Sequence, residues 1–141
     1  MTKILISKPA DLRRLARELL TLRPNIIAVE GPLGAGKTTL TKAIAGELGI
    51  KDVVVSPTFV LHREYPGLDH IDAWRVEDFE EIEKLGLSEM LANKHLVIIE
   101  WADKFQAQIS KLKSQNKIVW VKLEYGERPN ERRVSYENIG S

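Results

Sequence analysis

The sequence predicts an α/β domain, with a mixed, mainly parallel sheet flanked by helices and with antiparallel hairpin additions. Two observations favour this class. Apolar runs suited to buried strands, at residues 25–30 and 96–100, alternate with segments whose apolar residues recur at helical spacing. A glycine-rich segment, residues 31–38, also stands directly between a predicted strand and a predicted helix. The length fits one domain, so we expect residues 1–141 to fold as a unit.

The first third of the chain predicts a helix, a buried strand and a second helix. Ser7 is placed to cap the first helix, which ends before Pro24. Apolar residues recur at helical spacing through this segment: Leu12, Leu15, Ala16, Leu19 and Leu20. Residues 25–30 then predict a buried strand, and residues 37–48 predict a helix that stops at Gly49.

The middle of the chain predicts a hairpin. Residues 53–61 form an extended stretch that is interrupted at Ser56-Pro57-Thr58. Turn residues follow at positions 65–68, so we expect residues 68–74 to return antiparallel to that stretch.

The last part predicts one more helix and further strands. Residues 77–93 predict a helix broken near Gly86, and residues 96–100 predict a strand buried on both faces. Residues 118–125 alternate apolar and polar side chains, and residues 132–139 are expected to pair back on them as a hairpin.

Residues 31–38 fit the phosphate-binding pattern G-x-x-x-x-G-K-[ST]. In this pattern the glycines allow backbone N–H groups to face a phosphate chain, the lysine reaches the β- and γ-phosphates, and the hydroxyl ligates Mg²⁺. The following helix directs its N-terminus at the same anion. We therefore predict a site for a nucleoside triphosphate and Mg²⁺. Its residues are Gly31, Leu33, Gly34, Ala35, Gly36, Lys37, Thr38 and Thr39.

Two acidic residues are candidates to complete this site. Glu100 closes the predicted buried strand, where such loops need an acid to hold Mg²⁺ or its water; direct binding, binding through water and a role as base stay open. Asp72 lies in His70-Ile71-Asp72, and strand alternation puts His70, Asp72 and Trp74 on one face. Asp72 could orient water or complete the metal shell, but a surface pair of His70 with Asp72 is an equal alternative.

Composition narrows the function classes. A net charge of +1 gives no global field that would recruit nucleic acid or a membrane. The absence of cysteine excludes disulfides and thiol chemistry, and the separated histidines make a zinc site improbable. The N-terminus does not fit a signal peptide and no apolar run reaches membrane-spanning length, so we expect a cytoplasmic protein.

The residues leave several nucleotide-dependent functions open. A guanine-specific switch is disfavoured because residues 93–96 and 116–119 lack the Asp of an Asn-Lys-x-Asp element. A small-molecule kinase would need a substrate-binding insertion and an arginine-bearing lid, for which the connections here are short. A non-hydrolysing module, in which the nucleotide only sets a conformation for a partner, is a further alternative.

Several motifs together resemble the TsaE family of bacterial ATPases, over nearly the whole chain. They are residues 34–39, Ser56-Pro57-Thr58-Phe59, His70-x-Asp72-x-x-Arg75, Glu83-x-x-x-Leu87 and Ile99-Glu100-Trp101. The resemblance implies a P-loop ATPase that uses ATP and Mg²⁺ and works with the proteins TsaB and TsaD. TsaD transfers a threonylcarbamoyl group to adenosine 37 of tRNA. ATP hydrolysis by the family member, weak alone and raised by the partners, supports turnover of that complex.

The resemblance also implies roles for individual residues. Lys37 would be the catalytic phosphate lysine, Thr38 and Glu100 the magnesium residues, and Asp72 a catalytic or metal-shell acid. The residues expected to contact or flank the nucleotide are Ser56 and Thr58 in a switch-like segment, Trp101 beside the site, and Ser7 and Arg133. The chain departs from the family pattern at Trp74, where Tyr is usual, and at Ala102, where Pro often follows the Glu-Trp pair. It also lacks an expected proline-containing turn within residues 106–116.

Overall fold

The computed structural model describes residues 1–51 and 61–140 of the protein. The predictions for Val53–Val60, including the switch-like residues Ser56 and Thr58, lie outside the described residues. The strands are β1 (Thr2–Ile6), β2 (Ile26–Glu30), β3 (His62–Tyr65), β4 (Leu68–Asp72), β5 (Leu96–Glu100), β6 (Ile118–Tyr125) and β7 (Arg132–Asn138). The α-helices are α1 (Pro9–Thr21), α2 (Lys37–Glu47), α3 (Phe79–Lys84), α4 (Leu87–Ala92) and α5 (Gln106–Ser110). Turns of 3-10 helix cover Ala102–Phe105 and Lys111–Ser114.

The strands form one mixed sheet in the order β1-β7-β6-β2-β5-β4-β3. At its centre β6, β2, β5 and β4 run parallel, so their carboxyl ends meet at one edge. The predicted hairpin of residues 118–125 and 132–139 is present, because β7 pairs antiparallel with β6. The strand that begins at Leu68 also returns antiparallel as predicted, but its partner is β3, which follows the predicted extended stretch of residues 53–61. The predicted mixed, mainly parallel architecture is confirmed.

The outermost strand β1 was not predicted. It pairs antiparallel with β7, in a register that places Leu5 opposite Arg133. This strand is not a buried one, since Leu5 is exposed and Ile4 is only partly buried. Its pairing partner lies at the far end of the chain, so the strand follows from tertiary contact and not from local pattern.

Apolar side chains leave the sheet on both faces and form two clusters. Alternation along β2 sends Ile27 and Val29 to the face covered by α1 and α2, where they meet Leu19 and Leu40. The opposite face, which carries Ile99, packs against α3, α4 and α5. Full burial of one such side chain stabilises a fold by about 1.5–3 kcal/mol. Helices on both faces therefore hold the central strands in place.

The start of α1 differs from the prediction that Ser7 caps it. The N-cap is Lys8, whose backbone is extended, and Pro9 is the first helical residue. A residue before proline is driven to extended backbone, and proline suits the first helical position, so Pro9 fixes the start one residue later than expected. Ser7 instead donates its N–H to Asp11 Oδ2 over 3.1 Å, and its hydroxyl donates to the same oxygen over 3.2 Å.

The predicted helix over residues 77–93 is two short helices, with the break at Gly86 as expected. Gly86 has a φ of 100°, in the left-handed region, between α3 and α4. Asp78 caps α3 by accepting a hydrogen bond from Glu80 N over 3.0 Å. Within the described ranges, no helix combines the length and apolar character needed to cross a bilayer.

Candidate functional site

The loop of residues 31–36 joins β2 to α2 at the edge where the parallel strands end. Gly31 must be glycine here, because a Cβ would lie only 2.7 Å from the backbone oxygen of Leu123. A cleft of about 560 Å³ opens beside the loop. Its walls come from the loop and α2, from the ends of β4 and β5, and from the turns that follow them. They include Leu33, Gly34, Gly36, Lys37, Thr38, Thr39, Asp72, Trp74, Glu100 and Trp101.

Lys37 begins α2 and is buried, with 5% of its surface exposed. Its Nζ donates to the backbone oxygens of Gly31 and Pro32 over 2.7 and 2.9 Å. It also lies 3.8 Å from the centre of the Trp101 ring, within the range of a cation–π interaction. Burial lowers the pKa of the Lys37 ammonium, and the negative charge of Glu100 opposes that shift. The ammonium is thus held at the loop, and no carboxylate of residues 1–51 or 61–140 is in direct hydrogen-bond contact with it.

Glu100 ends β5 and is 2% exposed. The Thr38 hydroxyl donates to its carboxylate, with 3.0 Å to Oε1 and 3.3 Å to Oε2. The Thr41 hydroxyl, one turn along α2, lies 3.2 Å from Oε2. His70 of β4 places its Nε2 in a short hydrogen bond to the same oxygen. Thr41 and His70 were not predicted as partners of Glu100, because these contacts depend on helix position and strand register.

Asp72 ends β4 and is the register partner of Glu100 on the adjacent parallel strand. Its Oδ1 accepts a hydrogen bond from Trp74 N over 2.9 Å. Burial raises the pKa of the Asp72 carboxyl, and the like charge of Glu100 adds to the rise. The alternative of a surface pair between His70 and Asp72 is wrong, since His70 is fully buried and bonds to Glu100.

Lys104 holds the turn that follows Asp72, a role that the sequence did not indicate. Its Nζ donates to the backbone oxygens of Ala73, Trp74 and Val76 over 2.9, 2.8 and 2.7 Å. Lys104 lies in the 3-10 turn just after Trp101, so it ties the chain beyond β5 to the chain beyond β4. The rings of Trp74 and Trp101 meet above this turn with centres 4.4 Å apart.

The oxygen donors at the cleft fit Mg²⁺ bound together with phosphates. Thr38 supplies a hydroxyl, and Glu100 and Asp72 supply carboxylates. Magnesium prefers such hard oxygen ligands and commonly takes only one or two carboxylates, the rest being water and phosphate. Across residues 1–51 and 61–140, no group of three or more His, Asp or Glu is arranged to hold a metal alone. Water and phosphate oxygens would complete the shell of a metal held by these side chains.

Two residues that the resemblance placed near the nucleotide are not among those that line this cleft. Among the described residues that line the cleft, neither Ser7 nor Arg133 occurs. Arg133 is exposed and donates to Tyr125 O over 3.4 Å. Its neighbour Arg132 reaches the loop instead, with Nη2 donating to Gly34 O over 3.3 Å. Strand alternation explains this difference, because adjacent residues of β7 point to opposite faces.

A second cluster of charged groups lies on the other face of β4. The buried Asp69 bonds to His62 Nε2 over 2.6 Å and to His95 Nδ1 over 2.8 Å. These histidines are distant in sequence and are brought together by the pairing of β3 with β4 and the entry into β5. Because Asp69 and His70 are adjacent on β4, their side chains point to opposite faces of the sheet. This cluster therefore lies on the face opposite to His70 and the cleft.

The chain is similar to several characterised sequences. The family model described as "Threonylcarbamoyl adenosine biosynthesis protein TsaE" matches residues 6–134. A Bacillus subtilis (strain 168) protein named "tRNA threonylcarbamoyladenosine biosynthesis protein TsaE" is 36% identical over 121 residues, covering 83% of this chain and 72% of that protein. The Aquifex aeolicus (strain VF5) protein of the same name is 35% identical, covering 74% of this chain and 79% of that protein. The crystal structure of Bacillus subtilis YdiB aligns with a TM-score of 0.72 at 26% identity, covering 99% of this chain and 86% of that chain.

Proposed function

The chain belongs to the TsaE family, and we propose that it is the Mg²⁺-dependent ATPase of the machinery that makes threonylcarbamoyladenosine at position 37 of tRNA. In this proposal it supports turnover of the TsaB–TsaD complex in the cytoplasm and does not itself transfer the threonylcarbamoyl group. It meets tRNA only through that complex.

The observation that carries the proposal is the convergence of Lys37, Thr38 and Glu100 in one cleft. Thr38 Oγ1 lies 3.0 Å from Glu100 Oε1, although 62 positions separate the two residues. Lys37 Nζ is turned toward the loop that precedes it. A phosphate lysine, a metal hydroxyl and a metal acid are the parts that phosphoryl transfer by P-loop proteins requires.

Each part has a defined task in ATP hydrolysis. Backbone N–H groups of residues 33–38 and the N-terminus of α2 would bind the β-phosphate, and Lys37 would neutralise charge on the γ-phosphate. Thr38 and Glu100 would hold Mg²⁺, which when bound neutralises negative charge on the phosphates. Asp72, at the end of the neighbouring strand, would accept a hydrogen bond from the attacking water and orient it.

The cleft also explains why we expect slow hydrolysis by the chain alone. Trp74 at its edge is 51% exposed, so the site that would bind the γ-phosphate stands open to water. Hydrolysis of this kind depends mostly on positioning and charge neutralisation. A partner that covers the cleft would exclude water and fix the geometry, and the rate would rise.

The Lys37→Ala variant tests the nucleotide assignment. Losing the phosphate lysine should reduce Mg²⁺-dependent phosphate release by about 100-fold or more. The matched control is Lys42→Ala, since Lys42 is an exposed lysine on the same helix. Phosphate release and ATP affinity should be measured for both variants. Unchanged ATP affinity and turnover in Lys37→Ala would refute the assignment.

A further inference from the structure

The side chain of His70 lies at the centre of β4 and is fully buried. His70 is the register partner of Ile98 and Asp72 that of Glu100, so His70, Asp72 and Glu100 share the face of the sheet that packs against α2. His70 Nε2 bonds to Glu100 Oε2. The Thr38 hydroxyl approaches the same carboxylate from α2. Glu100 is therefore held from a strand on one side and from a helix on the other.

The chemistry of this contact fixes which histidine nitrogen carries hydrogen. A carboxylate oxygen only accepts hydrogen bonds, so Nε2 must be protonated to bond to Glu100. Among the described residues, no hydrogen-bond partner reaches His70 Nδ1. The neutral Nε2–H tautomer leaves only an acceptor unpaired there, whereas a proton on Nδ1 would bury an unpaired donor. With Glu100 as a carboxylate, the ring therefore donates from Nε2 to Oε2.

We propose that His70 is a positioning residue that orients the Glu100 carboxylate for magnesium. Its Nε2–H from β4 and the Thr41 hydroxyl from α2 hold Oε2 between them, which leaves Oε1 toward Thr38. This inference rests on the proposed function, because it gives the orientation of Glu100 a purpose in binding Mg·ATP.

The surroundings of His70 argue against a role in folding alone. The neighbours on these two strands are apolar and fully buried, among them Leu68, Ile71 and Ile98. An aliphatic residue would fit these apolar neighbours, but it would leave the buried Glu100 carboxylate with one hydrogen-bond donor fewer. The hydrogen bond to Glu100 is what an aliphatic residue could not supply.

Two substitutions at His70 separate positioning from packing. His70→Leu keeps an apolar fit and removes the donor, while His70→Gln places an amide N–H near the position of Nε2. The matched control is His95→Leu, which removes a histidine donor from Asp69 on the opposite face of β4. The readouts are the thermal stability of each variant without nucleotide and the ratio of ATP affinity with Mg²⁺ to that without Mg²⁺.

We expect His70→Leu to stay folded and to lose about tenfold of the Mg²⁺-dependent gain in ATP affinity, as loss of one hydrogen bond to a charged group predicts. His70→Gln should recover part of the loss, and His95→Leu should match the wild type. A wild-type affinity ratio in a folded His70→Leu would overturn the inference. If the wild type bound ATP with no effect of Mg²⁺, both the proposed function and this inference would be overturned. The two failures can therefore be told apart.

The tautomer offers a test that needs no nucleotide. The chain has three histidines, so ¹⁵N NMR of the imidazoles can be assigned with single substitutions. We expect the His70 Nε2 signal to be that of a protonated ring nitrogen and the Nδ1 signal that of an unprotonated one. The reverse pattern would exclude donation to Glu100 and overturn the inference.

Discussion

At the scale of single residues, the candidate site buries charges that a folded protein would otherwise keep in water. Lys37 and Glu100 are almost fully buried, and Asp72 is partly buried beside Glu100. Burial lowers the pKa of Lys37 and raises the pKa of Asp72, so in both residues the charged form is disfavoured. In the proposed function, Mg²⁺ and the phosphates are the ligand that supplies the opposite charges. The site therefore costs stability until that ligand is bound.

Asp72→Asn should stabilise the protein without nucleotide at neutral pH. The raised pKa means that ionised Asp72 disfavours folding, and this cost appears as pH rises through the folded-state pKa. Asn keeps the acceptor for Trp74 N and removes the charge. We expect a melting temperature higher by about 2–4 °C at neutral pH. The gain should vanish as pH falls below 3.8, where Asp72 is protonated in both states.

The same variant should lose Mg²⁺-dependent hydrolysis, because an amide cannot replace the acid that orients water. Thermal melts across pH and phosphate release on one preparation measure both effects. A variant that is less stable than the wild type at neutral pH would contradict the account of Asp72.

A site residue could be predicted from the sequence when its immediate sequence neighbours identify its role. Lys37 and Thr38 stand in a continuous motif, and Glu100 follows directly after an apolar strand, so the sequence pointed to each. The bond from His70 to Glu100 requires the register of β4 on β5, which no local pattern carries. The resemblance, and not a local pattern, placed Arg133 near the nucleotide; in the structure its neighbour Arg132 contacts the loop.

At the scale of elements, the hairpin of β6 and β7 supports the phosphate-binding loop from the side. The Tyr125 hydroxyl at the end of β6 donates to Leu33 O. Arg132 at the start of β7 donates to Gly34 O and lies 5.2 Å from the centre of the Tyr125 ring. The two contacts tie the backbone oxygens of Leu33 and Gly34 to the hairpin, so the hairpin helps to fix the conformation of the loop.

Arg132→Ala should weaken ATP binding more than Arg133→Ala. Loss of the Gly34 contact loosens the loop, and we expect about a fivefold rise in the dissociation constant for ATP. Arg133 is exposed and its side chain donates to Tyr125 O of the hairpin, so its variant should change the constant by less than about twofold. Titration calorimetry with Mg·ATP measures both. A larger effect of Arg133→Ala would restore the assignment of Arg133 to the nucleotide.

The break between α3 and α4 gives a test of backbone conformation. Gly86→Ala forces a side chain into the left-handed region and should destabilise the fold by about 1–2 kcal/mol. The control is Gly46→Ala in α2, where an added Cβ meets nothing within 4 Å. That change should stabilise by about 0.5–1 kcal/mol, since alanine favours a helix interior. Chemical denaturation compares the two, and equal effects would contradict the assigned backbone at Gly86.

The elements that could be predicted are those with a strong apolar period or a clear breaker. The strands β2 and β5, the helix α2 and the break at Gly86 follow from such local patterns. The strand β1 could not be predicted from a local pattern, because Leu5 is exposed and the pairing partner β7 lies far away in the sequence. The start of α1 was placed one residue early, because the effect of Pro9 on the preceding residue outweighs the capping preference of Ser7.

At the scale of the whole molecule, the order of the strands in the sheet brings the parts of the candidate site together. The strands β2, β5 and β4 are parallel neighbours, so the loop, Glu100 and Asp72 meet at the carboxyl edge of the sheet. Open parallel sheets bind ligands at this edge. Trp74 at the edge of the resulting cleft is 51% exposed, and in the proposed function a partner covers this side.

The measurement that tests this account most directly is Mg²⁺-dependent phosphate release from ATP, first by the chain alone and then with purified TsaB, TsaD and tRNA. We predict slow release by the chain alone, a clear rise when the partners are present, and loss of both rates in Lys37→Ala. Tight ATP binding with no stimulation under any of these conditions would contradict the account.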